Sequence, residues 1–371
     1  MRCRSVLCAS RHPRRSARAR TLARRSAVAD AVLAATATPV LTTPLRGPEP
    51  PPACVASYVA ASALATAITA APFEARHAAQ HSGILAHMAR VALLPPAEDV
   101  VYVELGAGRG YLSNTLATSY AEGALLLVER RAYRWKAERH LRQAPRVRVL
   151  RLRCDVADLD LRAAPMPPPM PPRGVEDGAA HESGAAADSS KRRLVVTAKH
   201  LCGGGTDAAL RCAARCSAAS GDTSRSLAGL AIAPCCHHAG KWRVFCGKRT
   251  LRAAGIGPRE FALAARMSSW ALDASAKAQH DASVRDASDT NDAATAPTSA
   301  APSAAAAAAD ERWGISSAER MGIGMAIKRL LDTARADWAA AHCGGAAELV
   351  RYCDAAVSPE NRLIVLRRTA G

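Results

Sequence analysis

The run Val101-Tyr-Val-Glu-Leu-Gly-Ala-Gly-Arg-Gly-Tyr-Leu112 constrains the fold more than any other part of this chain. An apolar strand pattern ends at Glu104, and Gly106, Gly108 and Gly110 then open a helical pattern. A strand feeding a glycine turn and a helix N-terminus brings bare backbone close to a nucleotide-like ligand. The glycine spacing alone is weak, because many strand-to-helix turns use glycines only for packing. The acid at the strand end narrows the choice. A phosphate-binding loop should avoid a carboxylate there, whereas the cationic amino-acid end of S-adenosylmethionine welcomes one. Glu104, with a second acid ending the next strand, therefore points to a methyl-donor site.

The flanking segments extend this unit. Residues 73–94 carry Ile84, Leu85, Met88, Val91 and Leu94 at helical spacing and lead into the Glu104 strand. A helix is expected over 110–120, a buried strand over 124–129, a basic helix over 131–143 and a strand over 147–154 ending at Asp155. That alternation is solved most simply by a parallel sheet covered by helices. The pattern resumes with a strand over 194–198, a loop over 199–205, a helix near 207–216 and a strand over 227–233 that ends in Pro234-Cys-Cys-His-His238. Residues 316–341 form a helix with Met321, Met325, Ile327, Leu330, Leu331 and Trp338 along its apolar stripe. Two strands, 348–353 and 362–366, close the chain. A mostly parallel seven-stranded sheet with helices on both faces and an antiparallel last strand is the plan of the Rossmann-like class I methyltransferases. The expected domain spans 73–371. Two low-complexity insertions, about 163–191 and 273–310, interrupt it and are expected to be disordered.

Composition bears on partner and compartment. The net charge of +18 suits a polyanion such as RNA, although nine arginines precede Asp30, the first acid. That arginine- and serine-rich leader reads either as an organellar transit peptide or as a basic tail. Residues 1–72 as a whole are expected to be disordered or targeting sequence. Residues 50–73 carry no charge, but their Ala, Thr and Ser are far less apolar than a membrane span requires, so no membrane association is expected. The twelve cysteines include the adjacent pair Cys235-Cys236 and look like reduced thiols of an intracellular enzyme, in cytoplasm or nucleus, or in an organelle if the leader is a transit peptide.

Several residues could carry chemistry. Glu129 lies nineteen residues after Gly110, where an acid can accept hydrogen bonds from both ribose hydroxyls of a nucleoside; its plainer role is a surface acid. Asp155 lies where such folds contact an adenine amino group, or is a strand-end turn aspartate. Lys199 and His200 follow the fourth strand, and residues beyond the strand carboxyl ends line the ligand crevice. A lysine can neutralise a phosphate or assist proton removal, and a histidine can act as a general base. Thr206 and Asp207 read as a helix N-cap. His237 and His238 are second candidates for proton transfer. Four consecutive residues, Cys235 to His238, cannot all turn toward one tetrahedral ion, and neither Cys202 nor Cys246 completes a recognisable spacing, so no metal is expected. The basic residues Arg130, Arg131, Arg134, Lys136, Arg139 and Arg142, and the group Lys241, Arg243, Lys248, Arg249 and Arg252, lie among aromatic residues. They are either RNA-binding patches or solvated helix faces.

The strings RHAAQHSGILAHM, VELGAGRGYLS, LVERRAYRWKAERHLR, RLRCDVADLDL, KHLCGGGTDAALRC, GLAIAPCCHH, ERMGIGMAIKRLLDTAR and SPEN occur in that order. Together they resemble the tRNA:m4X modification enzymes, ribose 2′-O-methyltransferases acting on nucleotide 4 of the tRNA acceptor stem. The resemblance covers roughly residues 77–366, outside the insertions, and KHLCGGGTD with CCHH is its most specific part. It implies S-adenosylmethionine as donor, tRNA as partner and a Rossmann-like domain. Donor binding falls on Glu104, Gly106, Gly108, Gly110, Glu129 and Asp155; the acceptor side falls on Lys199, His200, Cys202, Asp207, Cys235, Cys236, His237 and His238. Such enzymes often carry small Cys/His zinc modules before the methyltransferase domain. Here only Cys3, Cys8, His12 and Cys54 precede His77, which makes no credible finger, so zinc is not expected in this chain. A methyltransferase with another acceptor, or an inactive tRNA-binding protein, is the competing expectation.

Overall fold

The computed structural model describes residues 43–57, 72–94, 100–120, 122–133, 141–142, 144–168, 192–217, 225–272 and 316–369, with three isolated positions before them; for 72–76 it describes the backbone alone. Seven strands form one sheet in the order β3-β2-β1-β4-β5-β7-β6. They are β1 Val100–Leu105, β2 Gly123–Val128, β3 Val147–Leu152, β4 Arg192–Cys202, β5 Arg225–Cys235, β6 Ala347–Arg351 and β7 Arg362–Arg367. The first five run parallel, and β7 lies antiparallel to both β5 and β6. The chain steps outward from β1 through β2 to β3, then returns to place β4 on the other side of β1. Strand order thus reverses between β1 and β4, and ligands of open α/β sheets bind beyond the strand carboxyl ends at such a point.

The sheet is buried on both faces, which explains its near-continuous apolar runs. Along β1, Val101, Val103 and Leu105 face one core, while Val100 and Tyr102 face the other. The first core is closed by helix α3 (Gly204–Ser217), through Leu210, Cys212 and Ala213, and by the C-terminal half of α6 (Ser317–Cys343), through Ala336 and Ala339. The second is closed by α1 (Pro72–Arg90), through Ile84, Leu85 and Met88, and by α2 (Tyr111–Tyr120), through Leu112, Leu116 and Ala117. A smaller apolar cluster joins α4 (Lys248–Ala253) and α5 (Pro258–Met267) to α6 through Leu251, Phe261, Ile327 and Leu331. Helix α6 begins with a reciprocal cap, in which Ser316 Oγ accepts from the Glu319 amide and the Glu319 carboxylate accepts from the Ser316 amide. It ends at Gly344, whose φ of 73° fits the left-handed C-terminal turn.

Helix α1 stops at Arg90, four residues short of the expected end, and Ala92 follows with φ 53°. The α6 stripe is narrower than its sequence suggests, since Met321 and Met325 are exposed. Strand β4 extends through residues 199–202, where a loop was expected, because Cys202 resumes pairing with Cys235 after a register shift. Helix α3 therefore starts at Gly204, and Thr206 and Asp207 lie inside its first turn instead of capping it. Arg131–Tyr133 are not helical, and most of the expected basic helix lies outside the described residues. So do residues 169–191 and 273–315, which hold nearly all of both expected insertions. The packed chain reaches Pro168, past the expected boundary at 163: Ala164 is buried, and Arg225 donates to the carbonyls of Leu161 and Ala164. No helix among the described residues is long and apolar enough to cross a membrane.

Backbone contact between α1 and the segment after β6 rests on one glycine. A β-carbon at Gly83 would overlap the carbonyl of Tyr352. Gly83→Ala is expected to cost stability at the upper end of the roughly 1–3 kcal/mol typical of overpacking. A urea midpoint unchanged from wild type would show that the helix can move away.

Candidate functional site

The glycine turn after β1 is set by three left-handed residues, with φ of 68° at Gly106, 51° at Gly108 and 79° at Gly110. A β-carbon on Gly106 would strike the Leu201 side chain, whereas one on Gly108 would meet nothing within 4 Å. Gly106 is thus a packing glycine, and Gly108 leaves its backbone open to a neighbouring cavity. That cavity, about 630 Å³, lies beyond the ends of β1, β2, β3 and β4. Its wall includes Gly106, Gly108, Glu129, Asp155, His200 and Cys202.

The donor-side residues divide by position. Glu129 has its Oε2 3.1 Å from the Gly108 amide and its Oε1 2.9 Å from the Arg131 amide, so it fixes the glycine turn while facing the cavity. Asp155 accepts from the Ala157 amide at 3.0 Å, as a turn aspartate does, and also stands in the wall. Glu104 and Gly110 are not part of the wall. The buried Glu104 carboxylate accepts from the amide and hydroxyl of Ser113 at 2.9 and 2.5 Å, which satisfies the first turn of α2. Burial pushes its carboxyl above the ordinary range, opposed by the Ser113 hydrogen bonds and by Arg151 and Lys199.

The acceptor-side residues divide as well. Lys199 is buried on the α1 face of β4, with its Nζ 3.0 Å from His77 Nδ1 and 3.3 Å from His81 Nε2. His81 in turn meets the Thr115 hydroxyl of α2 at 3.0 Å through Nδ1. His200, with φ 66°, lines the cavity, and its ring centroid is 6.2 Å from that of His77. It stands where the cavity meets the Lys199 cluster. His237 turns away into a buried ionic network, 2.5 Å from Asp332 and 3.9 Å from Glu360. His238 is exposed and outside the cavity wall. Asp207 accepts from Arg335 at 2.9 Å and from the Cys246 amide at 2.9 Å, binding α3 to α6. Sequence reasoning passed over His77 and His81. Their i, i+4 spacing on one helix face was the available signal, but such a pair is common in helices without any site.

Burial lowers the His81 imidazole well below its ordinary value near 6.5, and Lys199, His77 and His200 push it the same way. The unfolded chain therefore takes up a proton near pH 6.5 that the folded protein refuses, so stability is present above that pH and lost as pH falls through it. The melting temperature is expected to drop by at least about 2 °C between pH 7.5 and 5.5. In His81→Asn the drop should shrink, leaving the smaller contribution of His87, which burial also lowers. An equal drop in the variant would remove His81 as its source.

The surface beside the cavity is basic. Arg130, Arg131, Arg211 and Arg215 are in its wall. Lys241, Arg243, Arg249 and Arg252 are exposed on the segment after β5 that also contributes Val244 to the wall. Trp242 is flanked by Arg252 at 5.5 Å and Lys248 at 5.9 Å, whereas Phe245 is buried in the α4–α6 core.

A protein-family model described as "Methyltransferase TRM13" matches residues 79–367, more than half of the chain. The tRNA:m(4)X modification enzyme TRM13 homolog of Mus musculus is 31% identical over 233 residues, covering 53% of this chain and 44% of that protein. The tRNA:m(4)X modification enzyme TRM13 of Eremothecium gossypii is 28% identical over 331 residues, covering 80% and 63%. That of Schizosaccharomyces pombe is 26% identical over 270 residues, covering 70% and 59%. The chain thus spans about half the length of these curated relatives.

Proposed function

The chain belongs to the methyltransferase TRM13 family, and on that premise we propose that it is an S-adenosylmethionine-dependent tRNA methyltransferase, acting on the ribose 2′-oxygen of nucleotide 4 in the acceptor stem. The observation that carries this reading is a cavity at the strand-order reversal whose wall joins Gly106, Gly108, Glu129 and Asp155 to His200, beside the buried Lys199 cluster. The fold then reads as a Rossmann-like class I domain over 73–371. The names of the relatives supply the tRNA, and the basic rim around the cavity suits it.

The donor fits the residues present. Gly108 leaves open space beside the turn, Glu129 keeps unused lone pairs for ribose hydroxyls, and Asp155 stands just after β3 for an amino group. Gly106, Gly110 and Glu104 hold the turn and the start of α2 in place. When bound, S-adenosylmethionine supplies a methyl group already activated by its sulfonium, so much of the enzyme's work is positioning. A ribose hydroxyl becomes a good nucleophile only as its proton is withdrawn. Lys199, oriented by His77 and His81, is the first candidate to draw off that proton or polarise the hydroxyl, and His200 is the second. His237 and His238 are set aside for this role, one in the ionic network and one outside the wall.

Incubation of the full chain with total tRNA and labelled donor, followed by position-resolved mapping, tests the proposal. Label confined to the 2′-oxygen of nucleotide 4 is expected. Label on a base, on another nucleotide or on protein would move the acceptor. Absence of donor binding by calorimetry, with tRNA binding retained, would leave an inactive tRNA-binding protein.

A further inference from the structure

Three thiols converge at the ends of β4 and β5. The sulfurs of Cys202, Cys235 and Cys236 all lie within 4.8 Å of one another, and those of Cys202 and Cys235 are 3.9 Å apart. Consecutive residues of a regular strand point to opposite faces, so Cys235 and Cys236 would normally diverge. Here Cys236 is left-handed, with φ 49° and ψ 46°, and its sulfur swings back to join its neighbour's. On β4, the register shift between Lys199 and Cys202, with His200 also left-handed, brings Cys202 opposite Cys235. Two non-glycine residues in this conformation are strained and persist only where their surroundings impose it. The surroundings do so: a β-carbon on Gly203 would strike the carbonyl of Ala239, so the chain after β4 is pressed against the chain after β5.

From this convergence we propose that Cys202, Cys235 and Cys236 form a zinc-binding site with three thiolate ligands and a fourth position open toward the cavity. A tetrahedral zinc with bonds of about 2.3 Å holds its sulfurs about 3.8 Å apart, close to the separation of Cys202 and Cys235. Thiolates favour soft or borderline cations over magnesium or calcium. The burial of Cys235 and Cys236, with Cys202 exposed in the cavity wall, sets the direction of the open position. Three protein ligands and one exchangeable place is the arrangement of zinc sites that bind water or a substrate oxygen, whereas purely structural sites are closed by four. Metal binding displaces the thiol protons. No metal was expected from the consecutive residues Cys235 to His238, but the fold adds Cys202 of β4 to two of them. The site stands apart from the methyl-transfer reading, because it rests only on the sulfurs.

The test is metal content of the full chain, purified under reducing conditions and dialysed against a weak chelator, with cobalt substitution as a spectroscopic probe. About one equivalent of zinc is expected, and the cobalt form should show a thiolate-to-metal band with tetrahedral visible absorption. Both should survive a Cys3→Ser, Cys8→Ser double variant and disappear in Cys202→Ser and in Cys235→Ser. Should those variants fail to fold, iodoacetamide labelling of the wild type decides. Cys202 is the exposed thiol of the three, and added zinc should suppress its alkylation at least about tenfold. Metal that persists without Cys202 and Cys235, unchanged alkylation with zinc, or a Cys202–Cys235 disulfide in the reduced preparation would each overturn the site. Methyl transfer plays no part in these readouts, so loss of one proposal leaves the other standing.

Discussion

Asp332→Ala is expected to destabilise the protein by about 3–5 kcal/mol, the usual cost of removing one partner from a buried ionic network. Asp332 lies on α6, fully buried, and meets three cationic or ionisable groups, Arg335 on the same helix, His237 after β5 and Arg362 on β7. One oxygen is 2.5 Å from His237 and 3.6 Å from Arg335, and the other is 3.3 Å from Arg362 on β7. Burial alone would raise its carboxyl, but His237, Arg362 and Arg335 outweigh burial and hold it below the ordinary range. Alanine would leave Arg362 and His237 buried without their shared anion, while Arg335 keeps Asp207. Asp332→Asn keeps an acceptor for His237 and should cost less. The depressed carboxyl stabilises the fold above its ordinary value near 3.8, and that contribution is lost as pH falls below it. Urea denaturation at pH 7 checks the order wild type, asparagine, alanine. An alanine variant within about 1 kcal/mol of wild type would mean the network contributes nothing net.

Lys199→Met should lower the rate of the proposed methyl transfer at least about 100-fold, the scale of positioned proton-transfer assistance. Its Nζ contacts His77 and His81 instead of the cavity wall, so donor affinity should stay within about threefold. Methionine preserves most of the buried stem and removes the cation, which eases the lowered His81 and leaves no unpaired charge behind. Single-turnover transfer to tRNA, with calorimetric titration of the donor and a thermal melt on the same samples, separates the outcomes. Transfer near wild type would remove Lys199 from the chemistry. A collapse of donor binding would instead place it in the donor site.

The strand, the glycine turn and the helix after it were legible in the chain because each is written locally. Glu104, the three glycines and the apolar run of β1 are consecutive, and the period of the pattern changes where the strand gives way to the helix. The mostly parallel sheet with an antiparallel last strand was legible too, whereas the order of its strands was not, because long connections precede β4 and β6. Less legible was where β4 ends. Lys199 to Cys202 runs into three glycines, Gly203 to Gly205, the marks of a loop, but pairing with Cys235 after a register shift keeps it in the sheet. Tertiary hydrogen bonding overrode a local signal.

The roles within the site needed the fold. Glu104 and Glu129 look alike from sequence, each an acid at a strand end. Only packing turns the first onto Ser113 and the second toward the cavity. His237 belonged to one string with Cys235 and Cys236, yet the left-handed Cys236 sends the histidine toward Asp332 and the thiols toward Cys202. His77 and His81 entered the site from a helix more than a hundred residues away in sequence from Lys199. Local hydrophobic period and turn chemistry thus determined the elements of this protein and the position of its glycine turn. Which side chains share a site depended on contacts between distant segments, which no local pattern encodes.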